Sequence, residues 1–202
     1  MSETIRQESP LIERNTSARR QVTAAHAGIT VRERPYLAYI NLRGDASDSA
    51  FTDAVRKVVG VDLPTEPNTV VEGDECRAVW LGPDEWYIVG AAGREDELVT
   101  ALEEALAGQH HAVNDLASGL TTIEISGPRA RDVLAKGCTL DLHPRAFGAG
   151  QCAQTMVSHA GVLIRHVDDS PTFEITVRRS FADYFWVWLE DAALEYGMAV
   201  TE

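Results

Sequence analysis

At 202 residues the chain is long enough for one well-buried domain or two small ones, and its 45% hydrophobic content is ordinary for a globular protein. A formal net charge of −13 works against binding nucleic acid or an anionic membrane, since both need clustered Lys and Arg, and no apolar run approaches the ~20 residues of a membrane span. Cys76, Cys138 and Cys152 form no C-x-x-C pair and the N-terminus has neither the basic start nor the apolar core of a secretory signal, so the expected setting is a reducing cytoplasm with thiols acting as small buried hydrophobes.

Residues 1–24 lack sustained periodicity and read as an arm, with one domain expected over 25–202. Arg14, Arg19 and Arg20 make the arm basic while the body is acidic. The arm is therefore expected to lie along an acidic surface of this chain or of a partner, a solvated tail being the alternative.

Ile29–Arg34 and Leu37–Arg43, separated by Pro35, read as two short strands. Phe51, Ala54, Val55, Val58 and Val59 then fall at i, i+3, i+4, i+7 and i+8, which predicts an amphipathic helix from about Ser47 to Val59, stopped by Gly60. Cys76–Leu81 and Glu85–Val89 are apolar on both faces and flank Gly82-Pro83-Asp84, a strand pair joined by a tight turn. Leu98, Leu102 and Leu106 predict a second helix ending at Gly108.

Val113–Phe147 is the stretch around which the rest is arranged. Thr121, Ile123 and Ile125 alternate with Thr122 and Glu124 as in a half-buried strand, and Ser126-Gly127-Pro128 reads as the cap and start of a helix. Ala130, Val133 and Leu134 form that helix's buried stripe, Gly137 is expected to end it in the left-handed conformation, and Cys138, Leu140 and Leu142 alternate as in another strand. Gln151–Ser158, Val162–His166 and Thr172–Val177 follow as an antiparallel meander. The last helix opens at Ser180 and carries Phe181, Tyr184, Phe185, Trp188, Leu189 and Ala192. Its aromatics cannot all face one side, because successive residues fan by 100°, which leaves Trp186 or Tyr184 for an interface. Strand pairs alternating with single helices predict an α+β fold with mixed or antiparallel sheets and helices packed on them; no G-x-G-x-x-G follows a strand, which disfavours a dinucleotide fold.

No complete catalytic motif is present. His110 and His111 are neighbours and on a strand would face opposite ways; His143, His159 and His166 are scattered, and neither H-E-x-x-H nor a paired C-x-x-C is found, so no metal site is expected. Ser118 and Ser126 lie outside G-x-S-x-G and read as turn and cap residues. Glu72, Asp74 and Glu75 read as a solvated loop.

The run I-S-G-P-R-A-R-D-V-L-A-K-G-C-T-L-D-L-H-P, together with W-L-G-P-D-E-W and R-S-F-A-D-Y-F-W-V-W-L, resembles the small gamma subunit of heterotetrameric sarcosine oxidase, itself similar to the folate-binding domain of the glycine-cleavage T-protein. The resemblance covers most of the chain after about residue 36. It implies the T-protein folate-binding fold without its C-terminal barrel, and a supporting, non-catalytic subunit. Its partners would be alpha, beta and delta subunits. The resemblance puts FAD, FMN and NAD on the large subunits, tetrahydrofolate on alpha and zinc on delta, with none in this chain. It also places Asp115 near the aspartate that T-proteins use beside folate; the residue reading is instead a strand-end aspartate that binds backbone amides. The T-protein pattern of G-G-I followed by acidic residues is here Ala160-Gly161-Val162-Leu163-Ile164, a departure from a folate pocket. The alternatives are a free-standing folate-dependent aminomethyltransferase or iron–sulfur assembly factor, and the equivalent subunit of an N-methyl amino acid dehydrogenase.

Overall fold

The computed structural model describes residues 7–16 and 26–201. In chain order the elements are α1 (Ile12–Thr16), β1 (Ile29–Arg34), β2 (Ala38–Arg43), α2 (Ser49–Val59), β3 (Val70–Glu72), β4 (Cys76–Gly82), β5 (Glu85–Gly90) and α3 (Glu95–Ala105). There follow β6 (Ala112–Asp115), β7 (Leu120–Ser126), α4 (Ala130–Ala135), β8 (Cys152–Val157), β9 (Ala160–Asp168), β10 (Thr172–Arg178), α5 (Ala182–Ala192) and β11 (Met198–Val200). The strands make two sheets, ordered β11-β1-β7-β10-β9-β8 and β3-β4-β5-β2-β6. Among the described residues every strand pairing is antiparallel except β1 with β11, so the expected mixed α+β architecture is what the chain adopts.

Register explains the layering. Ile123 sits opposite Ile175 and Ile125 opposite Phe173, so one face of the first sheet is continuously apolar and receives α4 and α5. The second sheet turns Ala38, Ile40, Leu42, Ala78, Trp86 and Ile88 toward α2 and α3. Phe51, Val55 and Val59 of α2 are buried there, each contributing about 1.5–3 kcal/mol. Asp48 caps α2 by accepting from Ala50 N, and Gly60, at φ 76°, ends it in a conformation that side chains disfavour. The remaining two sheet faces meet each other through Tyr39, Val79, Val89, Cys152 and Leu163. The order of layers is helix, sheet, sheet, helix.

Three local expectations are corrected. Cys138–Leu142 forms no strand: Cys138 makes a single bridge to Val157, and Asp141 turns the chain by accepting from His143 N. Gly137 does not take a left-handed conformation; α4 ends at Ala135 with Lys136 as its C-cap, and glycine is required at 137 because a Cβ would lie 2.6 Å from the Trp188 ring. Ser126 and Ser180 cap nothing, since α4 and α5 begin after Arg129 and Phe181 without side-chain caps.

The inward stripe of α5 also differs. Ala182, Phe185, Trp186, Leu189 and Ala192 are buried, whereas Phe181 and Tyr184 are exposed. Ala182 and Trp186 both face inward, and the Trp186 Nε1 donates to Glu190 Oε1 at 3.1 Å. Trp186 is core, so it is unavailable as a surface anchor.

Candidate functional site

The polar face of the first sheet is covered by the second, and the charges caught between them pair with one another, though the buried Nε of Arg77 and of Arg165 has no hydrogen-bond partner. Glu174, 3% exposed, meets Arg77 at 2.9 Å, Arg165 at 2.7 Å and Arg34 at 2.5 Å. Arg165 also holds Glu72 at 2.7 Å, and Arg32 holds Glu124 at 2.8 Å. Burial alone would push the Glu174 carboxyl up, but the guanidiniums of Arg77, Arg165 and Arg34 together outweigh it and hold the group below the usual carboxylate range. Beside this cluster the Tyr39 hydroxyl lies 2.6 Å from Thr122 Oγ1 and 2.8 Å from Thr176 Oγ1, a neutral link from β2 to β7 and β10. These contacts hold the sheets in one relative position. They leave no free acid or base among them.

At one open end of the same seam lies a hollow of about 320 Å³ lined by Leu81, Tyr87, Leu120, Gln154 and Arg178. A second hollow, about 300 Å³, lies under the N-terminal segment beside Tyr36, Glu95, Ser118 and Arg179. That segment is docked on the body: Leu11 is fully buried, Ser9 hydrogen-bonds Glu33, Arg14 Nε reaches Asp183 at 2.8 Å, and Arg179 donates to Glu8 O. Arg14 thus meets an acidic surface of its own chain. Arg19 and Arg20 lie outside the described residues.

Asp115 is exposed at the end of β6, and its Oδ1 accepts from Ala117 N at 2.8 Å, opening the turn that carries Ser118. His110 and His111 precede β6 instead of lying on it and both line a hollow of about 590 Å³ with Asp45 and Asp84. His111 is tied to Gln109 O at 3.0 Å and to Glu103 at 3.2 Å. Among the described residues no three His, Cys, Asp or Glu side chains are grouped to hold a metal ion. His143 accepts from Arg145 N, and His159 lies beside the Tyr184 ring. His166 is fully buried between Phe173 and Phe147; Arg131 donates to its Nε2 at 3.1 Å, and its Nδ1 is buried without a hydrogen-bond partner. All three cysteines are free, and burial pushes the thiols up, Cys152 to about 11, which keeps them un-ionised and poor nucleophiles. No described helix is long and apolar enough to cross a membrane.

The residues that sequence reading passed over are Arg77, Arg165 and Glu174. Their signal is a charge inside a β-branched run, as in F-E-I-T-V, whose polar face normally goes to water.

Relatives in sequence and structure agree with this architecture. The chain is 34% identical over 169 residues to the sarcosine oxidase subunit gamma of Corynebacterium sp. (strain P-1), covering 83% of this chain and 81% of that one. It is 32% identical over 169 residues to the subunit gamma of an Arthrobacter species, with the same coverage of 83% and 81%. The heterotetrameric sarcosine oxidase of Corynebacterium sp. U-96, solved in complex with pyrrole 2-carboxylate, contains a chain that superimposes with TM-score 0.85 at 28% identity, over 97% of this chain and 99% of that one. The glycine cleavage system aminomethyltransferase T of Bartonella henselae shares the fold, with TM-score 0.64 at 16% identity, over 87% of this chain but 48% of that one. Residues 43–195, well over half of the sequence, match the sarcosine oxidase gamma-subunit family, and the chain belongs to that family.

Proposed function

We propose that the chain is the gamma subunit of a heterotetrameric sarcosine oxidase and that its part there is structural. The observation that carries this reading is the end-to-end correspondence with one chain of the solved heterotetrameric enzyme, 97% of this chain against 99% of that one. The complex would oxidise the N-methyl group of sarcosine by a flavin and pass the carbon to tetrahydrofolate. Electrons would return to oxygen, giving glycine, methylenetetrahydrofolate and hydrogen peroxide. FAD, FMN and NAD belong in this reading to the alpha and beta subunits, folate chemistry to alpha and zinc to delta, in a cytoplasmic complex. The pairing of Glu174 with three arginines supports a supporting role, because a buried acid held ionised by fixed cations is unsuited to shuttling protons near neutral pH. Residues 25–202 form one domain in this reading, with 1–24 as its arm. Tyr184 and the neighbouring Phe181 and Val187, exposed on one side of α5, are the proposed contact surface.

Co-expression with the other subunits should give a complex in which this chain co-purifies through gel filtration, while the chain alone is colourless. A stoichiometric flavin spectrum on the isolated chain, or a chain that stays apart from the large subunits, would overturn the proposal.

Asp115→Asn separates structure from catalysis at the one carboxylate singled out by the family resemblance. Asparagine keeps a side-chain oxygen for Ala117 N, so turnover of the assembled complex should stay within a few-fold of wild type. Loss of a positioned acid or base lowers rate by about 10²–10⁴, and a fall of that size with assembly intact would make Asp115 catalytic.

A further inference from the structure

The loop between α4 and β8 is fastened to the first sheet through one guanidinium. Arg131 of α4 donates from Nη1 to Leu142 O and, at 3.4 Å, to Phe147 O, while its Nη2 lies 3.1 Å from His166 Nε2. The same group sits 5.0 Å over the Phe173 ring, and the rings of Phe173 and Phe147 stack against His166 at 4.8 and 6.2 Å. Leu142 and Phe147 are buried in the core, so the loop closes over a contact shut off from water. Its C-terminal end also joins the two sheets: Gly150 N donates to His166 O at 2.9 Å, and Val70 N of β3 donates to Gly150 O at 3.0 Å.

From this arrangement we infer that Arg131 and His166 form an acid-sensitive latch on the 139–149 loop, closed while the imidazole is neutral and released when it takes up a second proton. Arginine can only donate, so the contact to Nε2 needs that nitrogen as an acceptor, whereas an imidazolium carries a donor on each nitrogen and a charge of the same sign as its neighbour. The Nδ1 is buried without a partner, so nothing in the closed arrangement accepts from it. The charged groups around the pair do not answer the new cation. Asp168 and Asp169 lie at the β9–β10 turn and are exposed, with Asp168 already accepting from Ser170 N at 3.0 Å. From β10 the facing side chain is Phe173; Glu174 points to the opposite side of the strand, where it pairs with Arg165. The loop itself presents Phe147, while His143 and Arg145 are exposed. Opening the loop gives the imidazolium water and separates the two cations. Proton uptake is therefore coupled to opening, and each pH unit below the ordinary histidine value of about 6.5 raises the open population by up to about tenfold.

The test is amide hydrogen exchange on the full-length chain at about pH 7.5 and about pH 5.5, with protection corrected for the intrinsic pH dependence of exchange. The amides of Phe147 and Gly150, bonded to His143 O and His166 O in the closed loop, should lose about tenfold in protection at the lower pH, while those of α3 keep theirs. This window lies above the carboxylate range in which Glu174 acts. His166→Gln retains an acceptor for Arg131 but cannot take up a proton, so it should abolish the fall. Arg131→Gln removes the cation and two of the loop's bonds, so protection should already be low at the higher pH and fall much less between the two. The inference fails if wild-type protection at Phe147 and Gly150 is unchanged, if α3 loses protection by the same factor, or if either variant shows the wild-type fall. The wild-type comparison is decisive on its own should a variant not fold.

Discussion

Glu174→Gln should lower the unfolding free energy by about 3–5 kcal/mol, the range for removing one partner from a buried ionic cluster, because it strands Arg77 between the two sheets and leaves Arg165 only the half-exposed Glu72. Arg34 is partly exposed and would recover much of its hydration; Arg77 and Arg165, with side chains 12% and 10% exposed, would not. The glutamine keeps the shape and one acceptor, so the loss reports the charge and not a cavity. Denaturant unfolding should show a lower midpoint with an unchanged slope. A midpoint within a few tenths molar of wild type would mean that the cluster is hydrated in solution and does not hold the sheets.

The same cluster sets a dependence on pH. Glu174 titrates below its unfolded value, so its contribution is fully present above the ordinary carboxylate pKa of about 4.3 and is lost as pH falls through the lower folded value. Wild type should therefore destabilise more steeply than Glu174→Gln on acidification, and the gap between the two should narrow toward low pH. Parallel curves would show that Glu174 is not the group responsible.

How much of this was legible in the sequence depended on which surface each strand face meets. Alternation identified β7, leucine spacing identified α3, and β-rich runs between Pro, Gly and Asp breakers identified β1, β2, the β4–β5 pair, apolar on both faces, and the β8–β9–β10 meander. β3, β6 and β11 are three or four residues long, too short for a period to register. The polar half misled for another reason. Thr122, Glu174 and Thr176 look like a solvated face of a two-layer fold, and a single sequence carries no mark that a second sheet will cover it. Arg165 and Arg77 were invisible as partners because they lie 9 and 97 positions from Glu174 and on different strands. The docking of the N-terminal segment was hidden for a similar reason: Leu11 is one apolar residue without a repeat, buried by a groove formed far along the chain. Candidate site residues fared as their chemistry allowed. An aspartate at a strand end was readable as a turn former.

The α5 aromatics give the second large effect and separate fold from assembly. Trp186 is 1% exposed among the buried side chains of the first sheet, so Trp186→Ala should cost about 3–5 kcal/mol, the usual loss for truncating a buried aromatic to alanine. It also removes the donor to Glu190 Oε1, though Glu190 has access to water and adds little to the loss. Tyr184→Ala removes a side chain 38% exposed, with its hydroxyl 2.7 Å from Ser158 Oγ at the surface, and should change stability by about 1 kcal/mol or less. Exposed aromatics are the residues that subunit interfaces use as anchors, and truncating one at the centre of a contact costs roughly 2 kcal/mol or more in binding. Thermal melts of the isolated variants and pull-down by the other subunits therefore separate the two residues. Trp186→Ala should lose its melting transition or shift it steeply downward, with any loss of assembly following from unfolding, while Tyr184→Ala should melt near wild type and assemble more weakly. A folded Trp186→Ala chain that fails to assemble would place Trp186 at the interface after all, and a Tyr184→Ala chain that assembles with unchanged affinity would remove this face of α5 from the contact.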